Sequence, residues 1–536
     1  MDYNPLDISP FTAKDQLVAE ACRVLGSQAD LLDASRGGPN WQQRTVSSAW
    51  YTLGLYADYY YGALNTEGSV RMMPSVDHVD HSAAFERFTD AVIDSREVLA
   101  VGTRYLHAVW DYLSSGIIGD VSREEVIGQF TRAMTAYAYP TPATLEFIQP
   151  VANRYLAYML GRALAAEDFR VHLANGCTDA FRQVVHTMAC NELLRPGDRV
   201  ALVQPWYEPM RDLFSRQYGC EVTGIRRTME PECHTPHSEL QKLDDPELKI
   251  VVIVSPGNPV DKTTDEALLD RLQQAVENNP DLVILCDYVY ANFVSRQYDN
   301  ALKRMPKNVV PFYAVSKDFG FAGARVGAVW VHEQSCLQNM LNEQADEVAQ
   351  RVDEKYASRY IEDRPDFYSR LVMQSAGVSF SHMAGISVAN QILFALCALH
   401  PLVNPDEASD YFGWLHSELQ KRMAALYEGL GLPKQASCDV CESNYCALVP
   451  LEELAISQGP RVAREFEKVS LWNFLKHLAH SRGTIVMPAP VFGAEHKTVR
   501  ICLTSLGTSQ YREVGRNIAE TIGDYTFPGP CDHCDQ

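Results

Sequence analysis

Ser316-Lys317-Asp318-Phe319-Gly320-Phe321-Ala322-Gly323-Ala324-Arg325-Val326-Gly327 follows an apolar run, Val309 to Val315. The run predicts a buried strand. A lysine at its end lies where a low dielectric favours the neutral amine, the form that attacks an aldehyde. Arg325, eight residues on, is placed to meet a phosphate. An aldehyde and a phosphate together point to pyridoxal 5′-phosphate, held as a Schiff base on Lys317 with Ser316 beside it. In isolation a lysine followed by two glycines and an arginine also describes a solvated turn. The neighbouring segments decide between the two.

From about residue 170 to 335, short apolar runs alternate with helical patterns. Strands are expected at Phe169–Leu173, Arg199–Val203, Lys249–Val254, Leu282–Cys286, Val309–Val315 and Val326–Val331. Their near-continuous apolarity predicts an α/β fold: a mostly parallel central sheet with helices on both faces, plus a smaller α+β domain. Ligands of such sheets bind beyond the carboxyl ends of the strands. Those ends carry Gly176-Cys177-Thr178, Pro205-Trp206-Tyr207, Asn258, Asp287 with Tyr290, and Lys317.

Each has a role in holding the cofactor. Gly176, Cys177 and Thr178 open a helix whose free N–H groups cradle a phosphate, although a threonine or aspartate there also serves as a simple cap. Arg325 adds a charge-assisted contact. Asp287 ends a buried strand, where a carboxylate is costly without a partner. A protonated pyridine nitrogen is such a partner. Asn258 and Tyr290 are donors for the phenolic oxygen, and Tyr207 stacks on the ring. Arg500, among the apolar residues of Thr498–Leu503, needs an anion, and an α-carboxylate fits its fork. Arg36 and Gly38, in Ser35-Arg36-Gly37-Gly38-Pro39-Asn40-Trp41, supply a second guanidinium on a glycine-rich turn, suited to a dicarboxylate.

The chain has 536 residues, enough for more than one core. It is 46 % hydrophobic and 21 % charged. Its net charge of −21 opposes nucleic-acid and anionic-membrane partners. Met1-Asp2-Tyr3-Asn4-Pro5 does not open a secretory signal, and no apolar run approaches the ~20 residues of a membrane span. A cytoplasmic protein with reduced, mostly buried cysteines is expected. The pairs Cys438/Cys441 and Cys531/Cys534 are too far apart for a zinc ribbon and read as loop and tail thiols, with no metal expected.

The organisation expected is an N-terminal helical segment over residues 1–130 contributing to the small domain and the substrate site, and a large cofactor domain over 131–345. A helical insertion and inter-domain helix over 346–400 and a C-terminal small domain over 401–536 follow. Residues 76–130 and 340–425 read as helical, and residues 435–525 as short strands with a helix around Val462–Arg482. The last ten residues read as a loose tail.

Ser255-Pro256-Gly257-Asn258-Pro259, Asp287-Tyr288-Val289-Tyr290 and Lys317–Gly327, in this order, resemble the Asn-Pro loop, the Asp-x-x-Tyr pair and the lysine motif of the fold-type I pyridoxal phosphate enzymes, the aspartate aminotransferase superfamily. Ser35–Trp41, Tyr139-Pro140-Thr141-Pro142, Gly176–Thr178 and Val378–Ser387 with Gln391–Leu396 resemble the narrower aspartate 4-decarboxylase group. That resemblance implies action on an amino acid, and that Tyr139 reaches the phosphate of a neighbouring subunit in a homodimer with shared sites. Ala314 stands where the superfamily has a serine, and Pro488-Ala489-Pro490-Val491-Phe492-Gly493 replaces the usual Pro-Gly-x-x-Phe-Gly turn. The lysine motif is equally similar to aminocyclopropane-carboxylate synthase, which implies elimination, replacement or C–C bond formation, on S-adenosylmethionine among other substrates, as the alternative chemistry.

Overall fold

The computed structural model describes residues 10–526 apart from 26–30, 65, 68–69, 72–79, 94–96, 138, 142, 162–163, 229–232, 295–297, 357–363, 377–384, 434–440 and 495–496. Most of Val378–Ser387, Cys438, Pro142 and the C-terminal tail with Cys531 and Cys534 therefore lie outside the described residues.

The alternating runs form a seven-stranded sheet: β1 (Phe169–Ala174), β2 (Arg199–Gln204), β3 (Glu221–Arg226), β4 (Leu248–Val254), β5 (Val283–Asp287), β6 (Val309–Ala314) and β7 (Gly327–His332). The order is β1-β7-β6-β5-β4-β2-β3. Only β7 is antiparallel to its neighbours, β1 and β6. All expected strands are present, with ends shifted by a residue at most. β3 is the addition. It runs along the sheet edge with Ile225 as its one buried residue, so it lacks the apolar run that betrays a central strand.

Adjacent residues of a strand serve opposite faces of the sheet. Val251, Ile253, Ile284 and Cys286 belong to one core, shared with the helices Arg44–Leu64, Glu97–Leu113, Arg123–Met134 and Ile148–Leu160. Ile250, Val252, Val283 and Leu285 belong to the other, beneath α1 (Cys177–Cys190). α2 (Val388–Val403) is buried along most of its length, and α3 (Pro405–Leu430) turns away from it at Asn404.

Near the C-terminus β8 (Cys446–Pro450), β9 (Met487–Pro488) and β10 (Thr498–Cys502) form an antiparallel sheet ordered β8-β10-β9. Leu32–Asp33 pairs in parallel with Thr484–Ile485, which ties the two ends of the chain together. The helix expected around Val462–Arg482 is two, Pro460–Glu467 and Leu471–Arg482. Ser470 accepts from the Asn473 N–H and so starts a new helix where continuation was expected.

Cys441 is disulfide-bonded, which corrects the expectation that it is a loop thiol. It sits part-exposed in a turn ahead of β8, in contrast to the buried thiols of the cores. Among the described residues no cluster of three or more His, Cys, Asp or Glu side chains is poised for a metal. No single described helix is long and apolar enough to cross a membrane.

Candidate active site

Lys317 follows β6 and points at the glycine-rich turn of the N-terminal segment, where its Nζ donates to the Gly37 carbonyl at 2.8 Å. The residue retains partial exposure. Even so, burial dominates its environment and pulls the ammonium pKa below its ordinary value, while the thiols of Cys502 and Cys446 and the Asp287 carboxylate pull the other way and Arg500 assists. The Lys317 carbonyl accepts from Trp41 Nε1 at 3.0 Å. The next residue, Asp318, is fully buried and accepts from Tyr313 Oη and Asn292 Nδ2, both at 2.7 Å. Its own carbonyl accepts from Tyr411 Oη at 2.6 Å. The lysine is thus fixed from both sides of its backbone.

β5 and β1 supply the opposite wall. Asp287, the last residue of β5, is 8 % exposed and accepts from the Val289 N–H at 3.0 Å. Burial raises its carboxyl pKa to about 6, against the stabilising effect of that N–H, the Cys177 thiol and Lys317. Gly176 precedes α1 at φ +93°, a left-handed conformation open to glycine, and no side chain caps the helix there. Arg325 lies against Gly176: a Cβ there would come within 2.5 Å of Arg325 Nη2. The guanidinium otherwise meets backbone carbonyls, Ala322 at 3.1 Å and Asn175 at 3.5 Å. Thr178 is exposed and Cys177 buried. The Tyr207 hydroxyl hydrogen-bonds Thr178, and desolvation nevertheless leaves its pKa raised. Ser316 is buried beside the lysine.

The substrate end is built by β10. Arg500, 8 % exposed, donates from Nη2 to the Ser35 carbonyl at 2.7 Å and from Nη1 to Asn258 Oδ1 at 3.4 Å. Its Nε is buried without a partner. Its guanidinium carbon lies 4.5 Å from the Phe492 ring centroid. Asn258 Nδ2 donates to Tyr290 Oη at 2.9 Å, which joins the Asn-Pro loop to the end of β5. Thr178, Tyr207, Asn258, Asp287, Tyr290, Lys317 and Arg500 are linked in this way through one another or a shared neighbour. Arg36 and Gly38 are exposed, and no atom comes within 4 Å of a Cβ built on Gly38. The side chain of Arg36 is not drawn into the cluster with Arg500. Tyr139 is 96 % exposed and likewise stands outside the cluster.

Several participants escaped the sequence. Tyr445 donates to the Gly37 carbonyl at 2.8 Å, packs 4.6 Å from the Tyr290 ring and faces Lys317 Nζ at 5.7 Å. Cys446 and Cys502 lie side by side next to Lys317 and Arg500. The run Tyr445-Cys446-Ala447-Leu448-Val449 was the available signal, an apolar strand of ordinary core composition.

Three features suit the phosphate, the ring and the substrate of a pyridoxal phosphate site. The uncapped start of α1 lies against a guanidinium, the buried Asp287 carboxylate wants a cation stronger than its present partners, and Arg500 Nε is orphaned.

The family model of aminotransferase classes I and II matches residues 134–518. A bifunctional aspartate aminotransferase and L-aspartate β-decarboxylase from a Pseudomonas species is 28 % identical over 96 % of both chains. A 1-aminocyclopropane-1-carboxylate synthase from Prunus mume is 23 % identical over 41 % of this chain and 48 % of its own. Among solved structures, an aspartate aminotransferase double mutant from Thermus thermophilus superposes with a TM-score of 0.57 at 15 % identity, over 96 % of this chain and 97 % of its own.

Proposed function

The chain belongs to the class I and II aminotransferases, which are pyridoxal-phosphate-dependent enzymes, and from that premise we propose that it acts on L-aspartate, as a β-decarboxylase, an aminotransferase or both. Bound pyridoxal phosphate supplies the electron sink for carbanion chemistry next to the amino group. The chain's own residues do the rest.

Lys317 would anchor the cofactor, and its free Nζ would carry the α-proton; the lowered amine pKa favours the neutral, proton-accepting form. Asp287 would oppose the ring nitrogen and Tyr207 would cover the ring. Asn258 and Tyr290 would hold the phenolic oxygen. Gly176, Cys177, Thr178, Ser316 and Arg325 would hold the phosphate. Tyr139 reaches the phosphate of a second subunit in a homodimer; its near-complete exposure in the single chain supports that. Arg500 binds the α-carboxylate, while Arg36 and Gly38 meet the side-chain carboxylate from the exposed turn. We assign the enzyme to the cytoplasm, on the free, buried cysteines of its cores. The four-segment organisation, 1–130, 131–345, 346–400 and 401–536, is proposed with it.

The observation that carries the reading is the buried Arg500, whose Nε lacks a partner beside Asn258 and Lys317. Incubation with L-aspartate is expected to yield alanine and CO₂, or oxaloacetate when an α-keto acid is added. No turnover under either condition overturns it. An elimination or replacement reaction is the second reading. It is supported by the buried Ala314 that replaces a serine hydroxyl, by the Pro488-Ala489-Pro490 turn, and by the partial likeness to the Prunus synthase. Release of methylthioadenosine from S-adenosylmethionine would select it over aspartate chemistry.

A further inference from the structure

Two cysteines of the small sheet have no part in the proposed chemistry, and both reach its centre. Cys446 and Cys502 are register partners on β8 and β10, with their Sγ atoms 3.3 Å apart. The Cys502 N–H donates sideways to the Ala34 carbonyl, while the next residue's N–H, Leu503, donates to Tyr445. The cysteines therefore occupy a non-hydrogen-bonded pair, in which opposed Cα atoms stand about 4.5 Å apart and side chains are closest. That separation falls inside the range that a disulfide spans, roughly 4.4–6.8 Å.

Alternation along β10 puts Cys502 on the same side as Arg500. A Cβ built on Gly37 would lie 3.6 Å from Lys317 Nζ and 3.7 Å from Cys502 Sγ, so the amine and the thiol flank one point of the glycine-rich turn. Cys446 Sγ lies 3.6 Å from Asn258 Oδ1.

We infer that Cys446 and Cys502, buried beside Lys317, are a peroxide-sensitive dithiol that closes reversibly to a disulfide. The hydrogen bond from Cys446, with the charges of Arg500 and Lys317, favours a thiolate on Cys502 against the cost of burial. That thiolate attacks one oxygen of hydrogen peroxide, forming a sulfenic acid and releasing hydroxide. Cys446 Sγ then attacks Cys502 Sγ; its proton leaves with the sulfenic oxygen as water, and the S–S bond forms. Two thiols are oxidised and one peroxide is reduced, each by two electrons.

Closure removes an anion from beside Lys317, where the thiols hold the ammonium pKa up against burial. The amine pKa of the oxidised enzyme falls further. This consequence rests on the role given to Lys317 above; the closure itself does not.

The test is peptide mapping of the holoenzyme after brief treatment with equimolar hydrogen peroxide and alkylation of remaining thiols under denaturing, non-reducing conditions. The expected product is a cross-linked pair of peptides carrying Cys446 and Cys502, lighter by two hydrogens and reopened by dithiothreitol. Cys446→Ser should abolish the cross-link and leave a sulfenic acid on Cys502 that dimedone traps. Full alkylation of both thiols in the treated wild type, or over-oxidised Cys502 without cross-link, overturns the inference. A cross-link in an enzyme that ignores aspartate leaves the dithiol standing and removes the aspartate reading; aspartate turnover without a cross-link does the reverse.

Discussion

Burial acts in opposite ways on Lys317 and Asp287, and each direction makes a prediction. For Lys317 it depresses the ammonium pKa, so turnover should rise with pH through that lowered value and then level off; a pH profile of kcat checks the limb, because the amine is free only once substrate is bound. For Asp287 it lifts the carboxyl from 3.8 to about 6. Between those values the native protein binds more protons than the unfolded chain, so the stability of the cofactor-free protein falls as pH rises through the window. The deficit above pH 6 is about 3 kcal/mol. Asp287→Asn should therefore raise the Tm of the cofactor-free protein at pH 8, with the gain gone below about pH 4, and should abolish most activity. A lower Tm at pH 8 would refute this account of the carboxylate. Asp287, Lys317 and Arg500 were legible in the sequence because each is a charge at the end of, or within, an apolar strand. The Gly37 carbonyl was not, since a backbone acceptor leaves no trace in residue type. Tyr445, Cys446 and Cys502 were hidden because their composition is that of any buried strand.

At the level of elements, the start of α1 is the most demanding junction. Gly176 combines a φ of +93° with direct contact to Arg325. Gly176→Ala should cost about 1–2 kcal/mol in backbone strain and displace the guanidinium. Titration of the cofactor-free variant with pyridoxal phosphate should show affinity weakened by roughly tenfold or more, the equivalent of about 1.4 kcal/mol. Unchanged affinity would separate Arg325 from the phosphate. The central strands could be read because sheets covered on both faces demand continuous apolar runs. Edge strand β3 and the break between Pro460–Glu467 and Leu471–Arg482 could not, because the first has one half-exposed face and the second turns on a single serine cap.

In the molecule as a whole, the two sheets gather groups from the Ser35 carbonyl to the Cys502 thiol around Lys317 and Arg500, and this long-range convergence was legible only as a series of coincidences at strand ends. Tyr139, like Arg36 and Gly38, stands outside it, with 96 % of its surface exposed. If it completes a neighbour's site, Tyr139→Ala and Lys317→Ala proteins, each nearly inactive, should regain activity when dissociated and mixed, because one site of the hybrid carries neither change. Absence of recovery would assign Tyr139 to the surface. The central claim is that Lys317 anchors pyridoxal phosphate for chemistry on aspartate. Its most direct test is the absorbance spectrum of the purified holoenzyme, recorded before and after L-aspartate is added. A near-visible band that shifts with aspartate and is missing from Lys317→Ala is the predicted result; a band that persists unchanged in the variant, or ignores aspartate in the wild type, would contradict it.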